Sequence, residues 1–312
     1  MTEHLHPEHP HVDRRGFLKC MAWAGTAVVW TVSGGTLTAC EVNGASAQTP
    51  RSRDLSFVQI SDSHIGFKGP ANQDVTGTFQ LAIDQINALK ERPSFVMHTG
   101  DLSHLAAPDE FDTVKQMMGT LRTGRSFYVP GEHDQLAGDL HDYGALFGRG
   151  TVGRGWYSYD VNGVHFLALV NASSTEAMGH LGADQLDWVR KDVAGLSSET
   201  PIVVFAHVPL FAMYPAWGWS TDDAVKALSY LRRFGSVSVL NGHVHQVMTK
   251  VEGKVTFHVA RATAYPQPSP GSAPNPGPLT VPAPELHQAL GIMTAQWTAH
   301  HSHLAIVDHT LA

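Results

Sequence analysis

Residues 57–64 read FVQISDSH, an apolar run that ends in an aspartate and a histidine placed two residues apart. Four further largely apolar runs also end in carboxylate or histidine side chains: FVMHTGDLSH at 95–104, FYVPGEHD at 127–134, IVVFAH at 202–207 and VSVLNGHVH at 237–245. Each run has the length and the β-branched and aromatic content of a buried strand. Because α/β folds place their sites at the carboxyl ends of strands, the pattern predicts that these five polar ends converge on one site.

The segments between and after these runs predict helices and hairpins. Apolar residues repeat at helical spacing in two early segments and two later ones. The predicted helices cover 75–89, 111–121, 184–196 and 222–234. Hairpins are predicted at 156–170, across Asn162-Gly163, and at 247–259, and a closing strand at His300–Thr310. Alternation in the first half, with hairpins later, predicts a layered α/β domain with mixed sheets.

The composition narrows the kinds of protein that this chain can be. Of its 312 residues, 43% are hydrophobic and only 16% are charged, which argues against both disorder and a multi-span membrane protein. The net charge is −7 and no Lys/Arg run follows the opening segment, so a broad nucleic-acid-binding surface is not expected. Twenty histidines against two cysteines exclude a cysteine-based zinc site and a disulfide framework and leave a His/Asp metal site open.

The first 54 residues have the pattern of an export signal and a linker. The stretch RRGFLK at 14–19 resembles a twin-arginine signal, and the apolar stretch 21–32 that follows is too short to span a bilayer comfortably. Two cleavage sites fit. A lipobox at 37–40 would leave Cys40 as a lipidated N-terminus, whereas Ala45-Ser46-Ala47 suits ordinary signal peptidase, with cleavage after residue 47.

These features predict the organisation and the location of the protein. Residues 1–39 are the expected signal peptide, 40–54 a linker and 55–312 the folded domain, with a proline-rich surface loop at 266–284. The protein is expected outside the cytoplasm, in the periplasm, with the twin-arginine export machinery as a partner. Membrane attachment is expected only through a lipid on Cys40. The sequence leaves the oligomeric state open.

In order and rough spacing, the five segments resemble the calcineurin-like metallophosphoesterases over residues 57–260. The family pattern is D-x-H, G-D-x-x, G-N-H-D/E, a histidine, and G-H-x-H, and the chain carries its counterparts at 62–64, 100–104, 131–134, 207 and 242–245. The resemblance implies a four-layer αββα sandwich with two mixed sheets and a two-metal centre at the carboxyl ends of the strands. The stretch QISDSH at 59–64 is nearest to the branch that includes the class III cyclic-nucleotide phosphodiesterases.

The resemblance also implies a metal ligand set and a reaction. One metal would be held by Asp62, His64 and His245. The second would be held by His207 and His243 together with Glu132, and Asp101 would bridge the two. Carboxylate and imidazole ligands suit Fe, Mn or Zn, as two divalent ions or a mixed-valence pair. The implied reaction is attack of a metal-bridging hydroxide on a small phosphomonoester or phosphodiester.

Three further residues receive roles from the same resemblance. His133 would donate a proton to the leaving oxygen or stabilise the charged phosphoryl group. Asp134 would orient the His133 ring, as carboxylates behind a catalytic imidazole do. His104 lies where the family has a polar residue on the rim of the cleft, so it is a candidate for substrate contact, with a solvated loop residue as the alternative.

Glu132 departs from the family pattern, which has asparagine at this position. A carboxylate there adds a negative charge beside an anionic substrate, which could weaken phosphate binding, favour a more highly charged ion or signal a different substrate. Alternatively, Glu132 is displaced from the ligand position and serves as a base. Three functions therefore stay open: a phosphoester hydrolase, a metal-binding or sensing protein without turnover, and a two-metal enzyme of different chemistry. The presence of His133 and Asp134 favours the hydrolase, because a binding protein would not need that pair.

Overall fold

The computed structural model describes residues 54–136, 140–173, 178–298 and 304–312. The predicted signal peptide and most of the predicted linker lie outside the described residues, as does the start of the predicted closing strand. The strands are β1 Leu55–Ile60, β2 Val96–His98, β3 Ser126–Tyr128, β4 Tyr157–Val161, β5 Val164–Ala168, β6 Ile202–Phe205, β7 Val237–Asn241, β8 Met248–Glu252, β9 Val255–Val259, β10 Gly291–Trp297 and β11 Ala305–Thr310. The helices are α1 Val75–Asn87, α2 Pro108–Met118, α3 His141–Phe147, α4 Ala183–Asp192, α5 Ala224–Leu231 and α6 Leu286–Ala289.

The strands form two mixed sheets. The first has five strands in the order β11-β10-β1-β2-β3, with β1, β2 and β3 parallel and β10 and β11 antiparallel to their neighbours. The second has six strands in the order β4-β5-β6-β7-β9-β8, with a parallel centre and an antiparallel hairpin at each edge. Hence the parallel strands that carry the predicted ligands occupy neighbouring positions in both sheets.

The core shows that the sheets pack face to face with helices outside them. In β6, Val203 and Phe205 join residues such as Phe57 of β1 in the cluster between the sheets, whereas Ile202 and Val204 pack with α4 and α5. Strands buried on both faces explain why these runs are continuously apolar rather than alternating. Helices α1, α2 and α3 cover the outer face of the first sheet. The predicted four-layer αββα sandwich is therefore confirmed.

The main differences from the sequence-based prediction are three missed elements, the short helices α3 and α6 and the strand β10. Helix α3 spans only 7 residues, too few to show helical periodicity. Strand β10 begins with glycine and contains Thr and Gln among its apolar residues, although Ile292 and Met293 are buried. Its pairing with β1 and β11 makes it a strand. In the described ranges, no helix combines the length and the apolar character needed to cross a membrane.

A charged cluster joins β4, β5 and α4 away from the predicted site. Both ring nitrogens of the buried His165 contact carboxylates: Nδ1 lies 3.0 Å from Asp160 Oδ1 and Nε2 lies 2.8 Å from Asp192 Oδ2. Burial opposes the charge on this imidazole, but hydrogen bonds to Asp192 and Asp160 outweigh it and raise the pKa of His165 above its usual 6.5. The pair with Asp192 therefore holds the helix to the sheet as an ion pair.

This cluster predicts a pH-dependent contribution to stability. Because the folded-state pKa of His165 is raised, its contribution is complete below about pH 6.5 and is lost as the pH rises through the folded-state pKa. We expect His165→Gln to lower the free energy of unfolding by about 1–3 kcal/mol near pH 6 and by less near pH 9. Urea unfolding at both pH values checks this, with the exposed His287→Gln as control. An equal penalty at the two pH values would contradict a charged His165.

Candidate metal centre

All the predicted ligands lie on loops at the carboxyl ends of parallel strands. The first sheet contributes the loops that follow β1, β2 and β3, which carry Asp62 and His64, Asp101, and Glu132. The second sheet contributes the loops that follow β6 and β7, which carry His207, His243 and His245. All seven side chains are buried. The structure therefore brings together at one edge of the sandwich residues that are up to 183 positions apart in the sequence.

Five of these residues hold an unusual backbone conformation. The φ angles are 53° at Asp62, 40° at His64, 52° at Asp101, 70° at His243 and 57° at His245. Residues other than glycine seldom adopt positive φ, and such conformations cluster at functional sites because the surrounding structure must hold them. Here the loops after β1 and β2 hold each other, since Asp62 N–H donates to the Gly100 carbonyl at 3.0 Å and His64 N–H to the Asp101 carbonyl at 2.9 Å.

Asp62, His64 and His245 form a first half-site. His245 Nε2 lies 3.2 Å from Asp62 Oδ1 and 3.3 Å from His64 Nε2. Ligand atoms that share an ion at about 2.0–2.2 Å lie roughly 3 Å apart, so these spacings suit a common cation. Burial opposes ionisation of Asp62, but His245 and His207 outweigh it and lower the pKa of the carboxyl group to about 2.

Glu132, His207 and His243 form a second half-site. Glu132 lies between the two imidazoles and uses a different oxygen for each: Oε2 is 3.0 Å from His207 Nε2, and Oε1 is 2.7 Å from His243 Nδ1. Burial opposes ionisation, but His243 and His207 hold the pKa of Glu132 well below its usual range. Glu132 therefore takes the position of a ligand and is not displaced to the surface.

Asp101 lies between the two half-sites. Its Oδ2 atom is 3.5 Å from His64 Nε2 in the first half-site and 3.4 Å from His207 Nε2 in the second. Its Oδ1 atom accepts a hydrogen bond from the His133 backbone N–H at 2.9 Å. A single carboxylate oxygen that faces a histidine from each half-site has the position required of a bridging ligand.

Polar atoms without hydrogen bonds show that this ligand set suits metal ions. His207 Nε2, Glu132 Oε2 and both ring nitrogens of His243 are buried, and although three of these atoms lie within 3.0 Å of an ion-pair partner, none makes a hydrogen bond of good geometry with the described residues. A buried polar group left unpaired costs free energy, and bound cations would satisfy these atoms. The residues present therefore fit two cations held by imidazole and carboxylate, a set that suits Fe, Mn or Zn.

Backbone carbonyls set the orientation of two of the imidazoles. His207 Nδ1 donates to the Thr99 carbonyl at 2.6 Å, and His245 Nδ1 donates to the Tyr265 carbonyl at 2.6 Å. Because a carbonyl can only accept, Nδ1 carries a proton in both rings, and in the neutral form that can bind a metal the Nε2 lone pair faces the half-site. The roles of Thr99 and Tyr265 leave no signal in the sequence, since a backbone acceptor imposes no side-chain pattern.

Two glycines permit the close approach of these loops. A Cβ atom on Gly131 would collide with the Asp101 carboxylate, and one on Gly242 would collide with Ser61 Oγ and lie 2.7 Å from Asp62 Oδ2. Both glycines thus leave the space that the ligand carboxylates occupy. This is the physical reason for glycine in the segments GEHD and GHVH.

The predicted role of Asp134 is wrong in this structure. His133 Nδ1 donates to the His104 carbonyl at 2.7 Å, so that carbonyl orients the ring. The Asp134 carboxylate instead accepts from the backbone N–H groups of Leu102, Ser103 and Gly131 at 2.9–3.1 Å. Burial and the negative charge of Asp101 raise the pKa of Asp134, and the three backbone donors lower it. The net result is a pKa of about 7. Asp134 ties the Asp101 loop to the Gly131 loop.

His133 lies beside the metal ligands and is available to the site. Its ring makes an edge contact with His64, with 4.7 Å between ring centroids. Burial lowers the pKa of His133, but the carboxylates of Asp101 and Glu132 and the hydrogen bond to His104 outweigh this and raise it. Donation of a proton to the leaving oxygen and stabilisation of the phosphoryl group both stay predictions for His133.

His104 lies against two site residues. Its half-buried ring stacks on His133 at 4.8 Å between centroids, and its Nδ1 atom is 3.4 Å from His64 Nδ1. Substrate contact by His104 stays a prediction, whereas its contacts with the His133 ring and with His64 Nδ1 are present in the structure.

The comparisons with known proteins agree with this geometry. A family model described as calcineurin-like phosphoesterase matches residues 55–247. A 3',5'-cyclic-nucleotide phosphodiesterase from Nostoc sp. is 24% identical over 220 residues, which cover 68% of this chain and 79% of the relative. A glycerophosphodiester phosphodiesterase from Enterobacter lignolyticus is 24% identical over 262 residues, covering 80% of this chain and 92% of the relative.

Solved structures show the same fold. A dimetal phosphatase from Danio rerio superposes with a TM-score of 0.59 at 15% identity, over 83% of this chain and 96% of its own. A purple acid phosphatase from yellow lupin seeds superposes with a TM-score of 0.59 at 12% identity, over 84% of this chain and 52% of its own. At these identities the likeness concerns the two-sheet architecture.

Proposed function

The chain belongs to the calcineurin-like phosphoesterase family and is a metal-dependent phosphoester hydrolase, and from this membership we propose that its substrates are small phosphodiesters. The observation that carries the proposal is Glu132, whose buried carboxylate contacts both histidines of the second half-site. The names of the two relatives, a cyclic-nucleotide and a glycerophosphodiester phosphodiesterase, support it.

The charge of the centre favours a singly charged substrate. Asp62, Asp101 and Glu132 bring three negative charges, against the four positive charges of two divalent ions. An asparagine in place of Glu132 would leave one more positive charge to face the substrate. Since a phosphodiester is a monoanion and a phosphomonoester is largely a dianion near neutral pH, Glu132 opposes binding of the monoester more than that of the diester.

Some of these residues would bind the metal ions, and His133 would donate a proton. The half-sites and Asp101 would hold two Fe, Mn or Zn ions, which when bound supply Lewis acidity to the phosphoryl group and lower the pKa of a coordinated water. His133, oriented by the His104 carbonyl, is placed to donate a proton to the leaving oxygen. Asp134 keeps Asp101 in register with the Gly131 loop.

A substrate panel tests the proposal. We expect the metal-loaded protein to hydrolyse bis(p-nitrophenyl) phosphate, a cyclic nucleotide or a glycerophosphodiester with a kcat/KM at least about tenfold above that for p-nitrophenyl phosphate, which corresponds to about 1.4 kcal/mol. A preference for the monoester would overturn the assignment to diesters. Two bound metals without any phosphoester turnover would overturn hydrolysis itself.

Replacing Glu132 should shift this preference. We expect Glu132→Gln to bind inorganic phosphate about tenfold more tightly, and to raise monoester turnover relative to diester turnover, because it removes one negative charge at the second half-site. Competition by phosphate and the ratio of the two kcat/KM values measure the effect. Glu132→Asp keeps the charge and serves as the control, and identical behaviour of the Gln and Asp variants would exclude a charge effect.

We further propose that the protein is exported by the twin-arginine route and acts in the periplasm, which the stretch RRGFLK at 14–19 supports. We expect the double variant Arg14→Lys/Arg15→Lys to accumulate in the cytoplasm as folded protein, as fractionation and immunoblotting would measure. Unchanged export would refute the route. Cys40→Ala should release the protein from membranes if the lipobox is used, and should have no effect if cleavage follows residue 47.

A further inference from the structure

The metal-facing histidines of this centre differ in what holds the far side of the ring. His207 and His245 each donate Nδ1–H to a backbone carbonyl. For His64, the group facing Nδ1 is the His104 ring, with 3.4 Å between the two Nδ1 atoms. The first half-site thus contains a ligand whose orientation depends on another side chain.

The geometry determines which ring donates. His64 Nε2 faces His245 and Asp101, at 3.3 and 3.5 Å, so metal binding needs its lone pair there. The proton of neutral His64 then resides on Nδ1, and His104 must accept it through its own Nδ1. His104 therefore carries its proton on Nε2, and its ring is an acceptor toward the metal ligand.

His104 is itself held firmly. Its ring lies between His133, stacked at 4.8 Å, and Phe67, in edge contact at 5.1 Å. The buried carboxylate of Glu110 accepts from the backbone N–H of His104 at 3.1 Å and of Leu105 at 2.8 Å through one oxygen, Oε2. Both the ring and the backbone of His104 are thereby fixed before any ligand binds.

We propose that His104 is a positioning residue that orients His64 through its ring and His133 through its backbone carbonyl. This assignment rests on the proposed function, since it concerns the same centre. Because the carbonyl persists when the side chain is replaced, substitutions at His104 separate the two roles. Loss of the ring should loosen the ion of the first half-site while the hydrogen bond to His133 remains.

Metal release without substrate tests the proposal. We expect His104→Ala and His104→Leu to weaken one of two bound metal equivalents by about 10–100-fold, the usual cost of removing a partner behind a metal ligand. Release of Mn or Zn to a chelator, followed by a colorimetric indicator, would show one fast and one unchanged phase. His104→Asn, whose side-chain oxygen can accept near the position of Nδ1, should restore the parent behaviour. Leucine retains packing volume if the alanine variant folds poorly.

Several outcomes would overturn the proposal. Equal metal release from the Asn and Leu variants would remove the acceptor role. A raised KM with unchanged metal affinity would assign His104 to substrate contact, and loss of a third metal equivalent would make it a ligand. The metal-release measurements need no substrate. If the protein binds two metals but does not hydrolyse phosphoesters, the proposed function fails, and metal release from the His104 variants still tests the positioning role.

Discussion

Replacing Asp101 by alanine is expected to deplete both half-sites of metal and to reduce turnover to background. The Oδ2 atom of Asp101 faces His64 in one half-site and His207 in the other, so its removal takes a ligand from each ion at once. Two positive ions would also lose the negative charge between them. The fall in metal affinity should exceed the roughly 10–100-fold cost of losing a partner behind a ligand.

Metal content after dialysis and kcat/KM on a diester check this expectation. The exposed Asp109→Ala on the neighbouring helix α2 is the control, and thermal unfolding shows whether each variant folds. If the alanine variant unfolds, Asp101→Asn can retain the hydrogen bond from the His133 backbone while removing the charge. A folded variant that keeps two equivalents of metal would remove Asp101 from the bridging position.

The second large effect is expected at His133. Its ring is held by the His104 carbonyl next to the first half-site, where it can protonate a departing oxygen. We expect His133→Ala to lower turnover of alkyl phosphodiesters by about 100- to 10,000-fold, the usual contribution of a general acid. Nitrophenyl esters should lose far less, because nitrophenolate is a good leaving group without a proton.

The leaving-group comparison separates proton donation from charge stabilisation. Plotting log kcat against leaving-group pKa for parent and variant should give a steeper dependence in His133→Ala. His287→Ala, an exposed histidine remote in sequence, is the control. An equal loss of turnover on alkyl and nitrophenyl esters would contradict the acid role. His133 would then only stabilise the charged phosphoryl group.

The position of the site at the strand ends was predictable for a physical reason, whereas the resemblance to the calcineurin-like metallophosphoesterases implied the four-layer fold and the ligand set. A strand buried on both faces is largely apolar, so a cluster of charged residues at its end is conspicuous, and parallel strands place those ends at one edge of a sheet. The order of Asp62, Asp101 and His207 along the chain therefore indicated the site. Strand β10 carried no such signal because its pairing with β1 defines it.

Asp134 illustrates what could not be predicted. From the sequence GEHD, an aspartate next to a histidine suggests a pair, as behind other catalytic imidazoles. In the structure its two oxygens accept from backbone groups of the loops after β2 and β3, and the His104 carbonyl takes the partner position beside His133. Which acceptor lies nearest depends on loop conformations, including the positive φ angle of Asp101.

The amino-acid sequence by itself determined which residue types this centre offers and that they lie at strand ends, because hydrophobic burial and strand direction act along each segment. Only the tertiary structure decided that Asp101 Oδ2 lies between two half-sites, that Glu132 contacts both His207 and His243, and that His104 Nδ1 faces His64 Nδ1. Those relations depend on distances of about 3 Å between segments far apart in the chain. Hydrogen bonds and metal ligation are this sensitive to distance and angle, so their partners are set by packing.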